Sequence, residues 1–396
     1  MKVLNCRYET SINMSTQVEF PLFFDRCAGI DVHKESVVVT VKVNESPDQT
    51  RTFGTFTEDL ISLRDWLSSN GIRHLAMEST GVYWKPVFNI LEEDFEVMLV
   101  NARHIKYVPG HKTDCKDSAW IAKLLMSGLL KGSFIPPQQI REMRELYRYK
   151  KKLISQRVAE RNRLQKILED ANLKLGNVVS DVFGKTGWAV ICALIDGQTE
   201  AVSLASLAKG SLRKKIPQLI CALNGRITEH HRFMLQTSRL ALENIQQQID
   251  RIDRRLDEYL SHHTTEVELL ESIPGISHET VKGIVAEIGF DMSVFPTANH
   301  LASWAGVCPG NNESAGKKMS SRVTQGNRSL KTALVEAAWS AAKMKKGWLR
   351  NKYYALSVRR GKKRALMAIA HKILVAVYHV LSSHSPFKEP VLRITN

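Results

Sequence analysis

The chain has 396 residues, 43% of them apolar, which is enough for two or three domains with real cores. Its 56 Lys and Arg against 40 Asp and Glu leave a formal net charge of +16, which argues against a weakly charged metabolic enzyme and for a polyanionic partner. The first 26 residues lack the apolar core of a secretory signal and no segment approaches the roughly 20 apolar residues of a membrane span, so a cytoplasmic, nucleoid-associated protein is expected.

In chain order, an N-terminal arm (1–26) precedes "CAGIDVHKESVVVTVKV", which reads as a strand, a tight turn at about His33 to Glu35, and a second, β-branched strand. "TFTEDLISLRDWLSSNG" then predicts a helix capped by Thr57 and stopped by Gly71. "HLAMEST" is a short strand, "GVYWKPVFNILEED" a helix interrupted near Pro86, and "FEVMLVNA" another strand. A helix carrying "HKTDCKDSAW" follows, to about Leu130. This succession predicts an α/β domain over 27–135, a mixed sheet covered by helices.

Past "IPPQQ" the pattern turns helical and charged, and 136–265 is expected to be a helical, coiled-coil oligomerisation region. Within it Leu235, Leu242, Ile245, Ile249, Ile252, Leu256 and Tyr259 alternate steps of three and four, with Ser238 filling one place. Such a seam needs a partner, either the Ile140 to Leu175 helix of the same chain or another subunit. The all-α remainder, 266–385 with a tail at 386–396, opens with "LLESIPGISHETVKGIVAEIG". These two helices around Pro274 and Gly275 resemble a helix-hairpin-helix whose turn amides can hold a phosphate, or else form an ordinary packed hairpin. Pro309 to Asn327, crowded with Gly, Asn and Ser, is expected to be a long exposed loop.

From Ala337 to Lys388 there is no Asp or Glu, while Arg359, Arg360, Lys362, Lys363 and Arg364 cluster near Tyr353 and Tyr354. A one-signed stretch with interleaved aromatics suggests nucleic acid; a solvated basic face or a membrane-surface helix is the blander alternative. The six cysteines form no CxxC pair, which argues against a structural zinc or a disulfide scaffold.

Two acids stand in apolar strands, Asp31 in "AGIDVHK" and Glu78 in "LAMEST", where an unneutralised carboxylate costs several kcal/mol. Asp114 and Asp117 share a helical face at i and i+3, where acids can also simply complement the helix N-terminus. Four converging anions would need a counter-charge, and a pair of Mg²⁺ ions (Mn²⁺ is the other candidate) supplies it in the arrangement used for phosphodiester chemistry.

"GIDVHK", "MESTG" and "KTDCKDSAWIAKLL" resemble the three acidic motifs of the DEDD transposases of bacterial insertion sequences, group one-hundred-and-ten, whose N-terminal domain is similar to the RNase H-like junction resolvase RuvC. Further on, "ASWAGVCPGNNESAGK" and "GNRSLKTALVEAAW" are similar to that family's C-terminal domain. The resemblance implies a recombinase that excises and inserts a mobile element, with Asp31, Glu78, Asp114 and Asp117 holding Mg²⁺. It further implies a serine nucleophile that links covalently to DNA, matched here by Ser314, and guidance by a structured RNA that the element encodes. Ala315 stands where a glycine is usual, which leaves Ser320 and Ser321 as other candidates. Lys317, Lys318, Arg322 and Arg328 flank the serine and could neutralise phosphate. A homo-oligomer, dimer or tetramer, acting on donor and target double-stranded DNA is expected. The competing readings are a RuvC-like resolvase or ribonuclease that uses water, and a non-catalytic nucleic-acid-binding protein.

Overall fold

The computed structural model describes residues 23–44, 46–79, 81–101, 117–309, 312–314, 316–320, 323 and 325–390, with the backbone alone at 312–314, 317, 318 and 320. The chain divides into two compact units, 1–135 and 136–396.

In the first unit the β-branched run and its neighbours form a five-stranded sheet of order β3-β2-β1-β4-β5. Strands β1 (Arg26–Val32), β2 (Val37–Val43) and β3 (Gln49–Phe53) make an antiparallel meander, and β4 (His74–Glu78) and β5 (Glu96–Val100) run parallel to β1. The period-two pattern decides the layers. Ile30, Val32, Val37, Val39, Leu75, Met77 and Leu99 face helices α1 (Thr57–Ser69) and α2 (Trp84–Leu91) in one core. Cys27, Ala76 and Val100 face the other way, onto Ile121, Leu124 and Leu125 of α3 (Asp117–Met126). Asp31 lies on this second face, two residues beyond Gly29 on the same strand.

Several expectations are corrected here. Pro86 does not interrupt α2; it sits in the first turn, where its missing N–H has no intrahelical partner to lose. Thr57 is the first residue of α1, and Phe56 takes the cap position, its amide donating to Asp59. Strand β3 was not foreseen, because "QTRTF" is a polar edge strand with no apolar alternation.

The second unit is helical. Helices α4 (Gln138–Asp170) and α9 (Glu229–Ser261) pack along one another, so the α9 seam finds its partner within the chain. Leu235, Ser238, Leu242, Ile249, Ile252 and Leu256 are buried there, Ile245 and Tyr259 half-buried. Between them α5 (Leu175–Val178), α6 (Lys185–Ile195), α7 (Ala201–Ser206) and α8 (Ile216–Leu223) build a separate apolar cluster against Leu164, Leu168, Leu235 and Leu242.

The rest comprises α10 (Thr264–Glu271), α11 (His278–Ile288), α12 (Ala298–Ala305), α13 (Arg328–Lys343), α14 (Trp348–Arg360) and α15 (Lys362–Ser383). α15 packs against α10, α12, α13 and α14. By length and composition it could cross a membrane, contrary to the sequence expectation, yet half of its most apolar stretch is buried inside this unit. The expected loop at 309–327 contains a hairpin, β6 (Asn312–Ser314) and β7 (Lys317–Ser320), below which a Pro309–Val323 bridge closes the neck.

Charged groups buried in this unit are matched internally. Glu287 is fully buried and accepts from Arg148 in a two-pronged pair, both bonds 2.8 Å, with Arg144 at 3.4 Å and the Asn327 amide at 2.6 Å. Buried Lys282 meets Asp257 at 2.7 Å and Asp253 at 3.2 Å, while His278 also contacts Asp257 at 2.9 Å. Burial works against ionised Asp257, but the bonds from Lys282 and His278 prevail and hold its carboxyl below the ordinary value.

Candidate active site and nucleic-acid interface

Gly29 sets the geometry of the acidic cluster. A Cβ at this position would lie 2.1 Å from the Ser118 carbonyl oxygen and 2.3 Å from the Ala122 amide nitrogen, so the backbone of α3 rests directly on β1. The Ser118 hydroxyl bonds Thr40 at 2.8 Å, Thr40 bonds Thr50 at 3.0 Å, and Thr40 is the cross-strand partner of Gly29. The Cys27 thiol donates to the Ala122 carbonyl at 3.4 Å, and burial pushes its pKa up to about 12, which makes it an inert packing group. Three contacts thus fix the first turn of α3 over the face that Asp31 occupies, and Asp117 is the residue just before Ser118.

Asp31 is mostly buried, its side chain 15% exposed, with His33 Nε2 3.0 Å away. Burial raises its pKa first; the neighbouring imidazole lowers it, and the charge of Asp117 raises it again. Asp31 and Asp117 therefore feel each other's field. Glu78 ends β4, and the parallel register from Cys27–His74 to Ile30–Met77, carried one residue on, sets it beside Asp31. Glu78 shares the face of Ala76, the α3 side of the sheet. Asp31, Glu78 and Asp117 are thus brought to one end of one face. Asp114 lies outside the described residues, and among those described no group of three or more His, Cys, Asp and Glu side chains is placed to hold a metal ion.

The donor chemistry nevertheless suits a hard divalent cation. All three groups are carboxylates, and the burial and Asp117 repulsion that disfavour the charge on Asp31 are the terms such an ion would reverse. Sequence reasoning missed Gly29, Thr40 and Ser118, which position the acids, and gave no role to His33. The signal for Gly29 was present in "AGID": a glycine inside a strand marks a close backbone approach.

In the second unit Ser314 is the last residue of β6 and pairs with Lys317, the first of β7, with Gly316 at φ +74° just before it. Glu313 pairs with Lys318. Ser320 ends β7, and Ser321 and Arg322 lie outside the described residues. The hairpin arises because the Gly, Asn and Ser composition that suggested a loop also supplies a tight turn.

At the Pro274–Gly275 turn, Gly275 has φ +94° and a Cβ there would meet the Ala337 carbonyl oxygen at 2.4 Å. Its glycine requirement comes from packing on α13, which agrees with the ordinary-hairpin alternative. Asn327 caps α13, accepting from the Leu330 amide, and Arg328 opens that helix, exposed.

Arg359 and Arg360 end α14, Gly361 turns the chain at φ +81°, and Lys362, Lys363 and Arg364 open α15, all exposed. Three cations at a helix N-terminus oppose the helix dipole by up to about 1 kcal/mol each, an adverse placement that a bound polyanion would relieve. Arg360 and Arg364 also line a cleft of about 420 Å³ with Lys372, His371, Val323 and Pro309.

Comparison with known families gives two matches in order along the chain. Residues 28–172 match the transposase family DEDD_Tnp_IS110, and residues 267–354 match the transposase family IS116/IS110/IS902. Two separate segments of the chain are thus similar, in order, to the two domains of an IS110-type transposase. The first IS110-type match takes in Asp31, Glu78, Asp114 and Asp117, and the second takes in Ser314 and Arg328, whereas Arg359 to Arg364 fall beyond it. Pilin gene-inverting proteins of Moraxella bovis and Moraxella lacunata are each 32% identical over 127 residues, 31% of this chain. The alignment spans 39% of the length of those relatives.

Proposed function

We propose that the protein is a transposase or recombinase that cuts and rejoins DNA with the help of divalent metal, two Mg²⁺ ions held by Asp31, Glu78, Asp114 and Asp117 in an RNase H-like domain. The observation that carries this reading is the placement of Asp31 against the charge of Asp117, on a helix fixed over Gly29, within a segment that matches the IS110-type transposases. The named activity of the pilin gene-inverting relatives, reversal of a gene segment, belongs to the same class of DNA rearrangement. Bound cations would neutralise the carboxylates and stabilise charge on the phosphate.

The chain's own residues supply the rest. The acids orient the phosphodiester, and the Ser314 hydroxyl attacks phosphorus. A serine–phosphate ester forms as the scissile P–O bond breaks, the hydroxyl proton leaves to a carboxylate or solvent, and the departing oxygen is protonated. Reversal on a second DNA end restores the serine and rejoins the strand. Lys317, Lys318, Arg322 and Arg328 neutralise phosphate, and Arg359, Arg360, Lys362, Lys363 and Arg364 bind nucleic acid, including an element-encoded guide RNA. The working form is a homo-oligomer in the cytoplasm, associated with the nucleoid.

The test incubates purified protein, candidate guide RNA and labelled donor and target DNA with Mg²⁺ and looks for a protein–DNA adduct on a denaturing gel. Wild type should give an adduct that both Ser314→Ala and Asp117→Asn abolish. Cleavage that persists in Ser314→Ala, without adduct in any lane, would instead establish water as the nucleophile, as in a junction resolvase.

A further inference from the structure

A second basic surface stands apart from the 359–364 cluster. A cleft of about 850 Å³ opens between α4 and the start of α13, lined by Arg148, Lys151, Lys152, Arg328, Ser329 and Trp304 among others. On α4 the cations fall at i, i+3 and i+4 with Ser155 at i+7, so one helical face presents them along about 10 Å. The opposite wall adds Arg328 and the hydroxyls of Ser329 and Thr332.

The four cations are unequally neutralised. Arg148 is aimed by Glu287, which it shares with Arg144, and Lys151 reaches Glu336 at 3.2 Å, an exposed pair of small worth. For Lys152 and Arg328, both exposed, no acidic partner is found among the described residues. The lining itself holds no carboxylate. The cleft is too large for one phosphate ion, and its length suits successive phosphates of a strand. The hydroxyls of Ser155 and Ser329 are partners for sugar and phosphate oxygens, whereas that of Thr332 donates to the Arg328 carbonyl at 2.9 Å.

We infer that this cleft is a binding track for the phosphodiester backbone of a nucleic-acid strand, with Lys152 and Arg328 as its two freely available cations and Arg148 as its fixed one. The inference extends the proposed function by naming where a nucleic-acid backbone is gripped, and does not depend on the strand chemistry. Asn327, the carboxamide of the lining, is engaged by Glu287 and the α13 cap, and cations given over to phosphate carry no sequence information, so binding here is expected to tolerate any sequence.

The experiment measures binding of the full chain, without metal, to a 40-nucleotide single-stranded DNA, the same sequence as RNA, and a DNA duplex, over a range of salt. Lys152→Ala with Arg328→Ala should lower the slope of log affinity against log salt by about two units and weaken binding at least about tenfold at 0.15 M salt. The polymer whose slope falls identifies the occupant. Lys214→Ala, an exposed lysine before α8, serves as the control for general charge and should leave the slope unchanged. An unchanged slope in the double variant for all three polymers, or an equal fall in the control, overturns the inference. Asp31→Asn separates the two claims: it should abolish strand cleavage while leaving this binding intact.

Discussion

The two units hold their acids in opposite ways. In the helical unit Glu287 is fully enclosed and meets two arginines and an amide, and Asp257 is held below its ordinary pKa by Lys282 and His278. In the sheet unit Asp31 is raised by burial and by another acid, and the cationic partner it has in range is an imidazole that is charged only when protonated. The first arrangement is complete in itself and stabilises the fold. The second disfavours the charge on Asp31, as expected of a site kept for a ligand at the expense of stability.

The strongest way to break this contrast is Asp117→Asn in the DNA assay, where strand cleavage should fall by about 10²–10³-fold or more while the fold is retained. Next in size is Glu287→Ala. It leaves Arg144 and Arg148 without their shared counter-charge and should cost about 3–5 kcal/mol, read by denaturant unfolding of the helical unit. Gly29→Ala forces a methyl into the α3 backbone and should destabilise the sheet unit by at least about 2 kcal/mol, seen as a lower thermal midpoint. If that midpoint were unmoved, α3 would not rest on β1 and the acid cluster would lose its support.

The finest test sets the two acids against each other in metal-free protein. Asp31 has a raised folded pKa, so a cost in stability builds as the pH rises from the ordinary carboxylate value through the folded one and is complete above it, and Asp31→Asn should raise the midpoint at neutral pH and remove any stabilisation by added Mg²⁺. Asp257 has a depressed folded pKa. Its contribution is present above the ordinary carboxylate value and lost as the pH falls through the folded one, so Asp257→Asn should lower the midpoint at neutral pH by less than about 1 kcal/mol, since the group is half exposed. Shifts of the same sign in both variants would erase the distinction between the two units.

Much of this organisation was legible in the sequence because it is periodic. The β1 and β2 alternation, the α9 seam and the acids misplaced in apolar strands all announce themselves within a few residues. What stayed hidden depended on residues far apart. β3 carries no apolar alternation because it is an edge strand, and its Thr50 matters only through Thr40 and Ser118. The hairpin bearing Ser314 looked like a loop because turn-forming residues dominate its composition. Glu287 sits in "VAEIG" as an ordinary helical acid until Arg148, 139 residues earlier, is seen to meet it.

That separation also governs when the helical unit can form during synthesis. Arg144 and Arg148 emerge from the ribosome with α4, but their counter-charge follows about 140 residues later and the Asn327 amide about 40 later still. At translation rates of about 5–20 residues per second, the two arginines wait roughly 7–28 s for Glu287. The sheet unit has all its strands well before then and can fold on the nascent chain. The long α4 helix, by contrast, must wait for α9 to cover its apolar seam and for α11 to bring Glu287, and through that interval the seam is open to chaperones and to neighbouring chains.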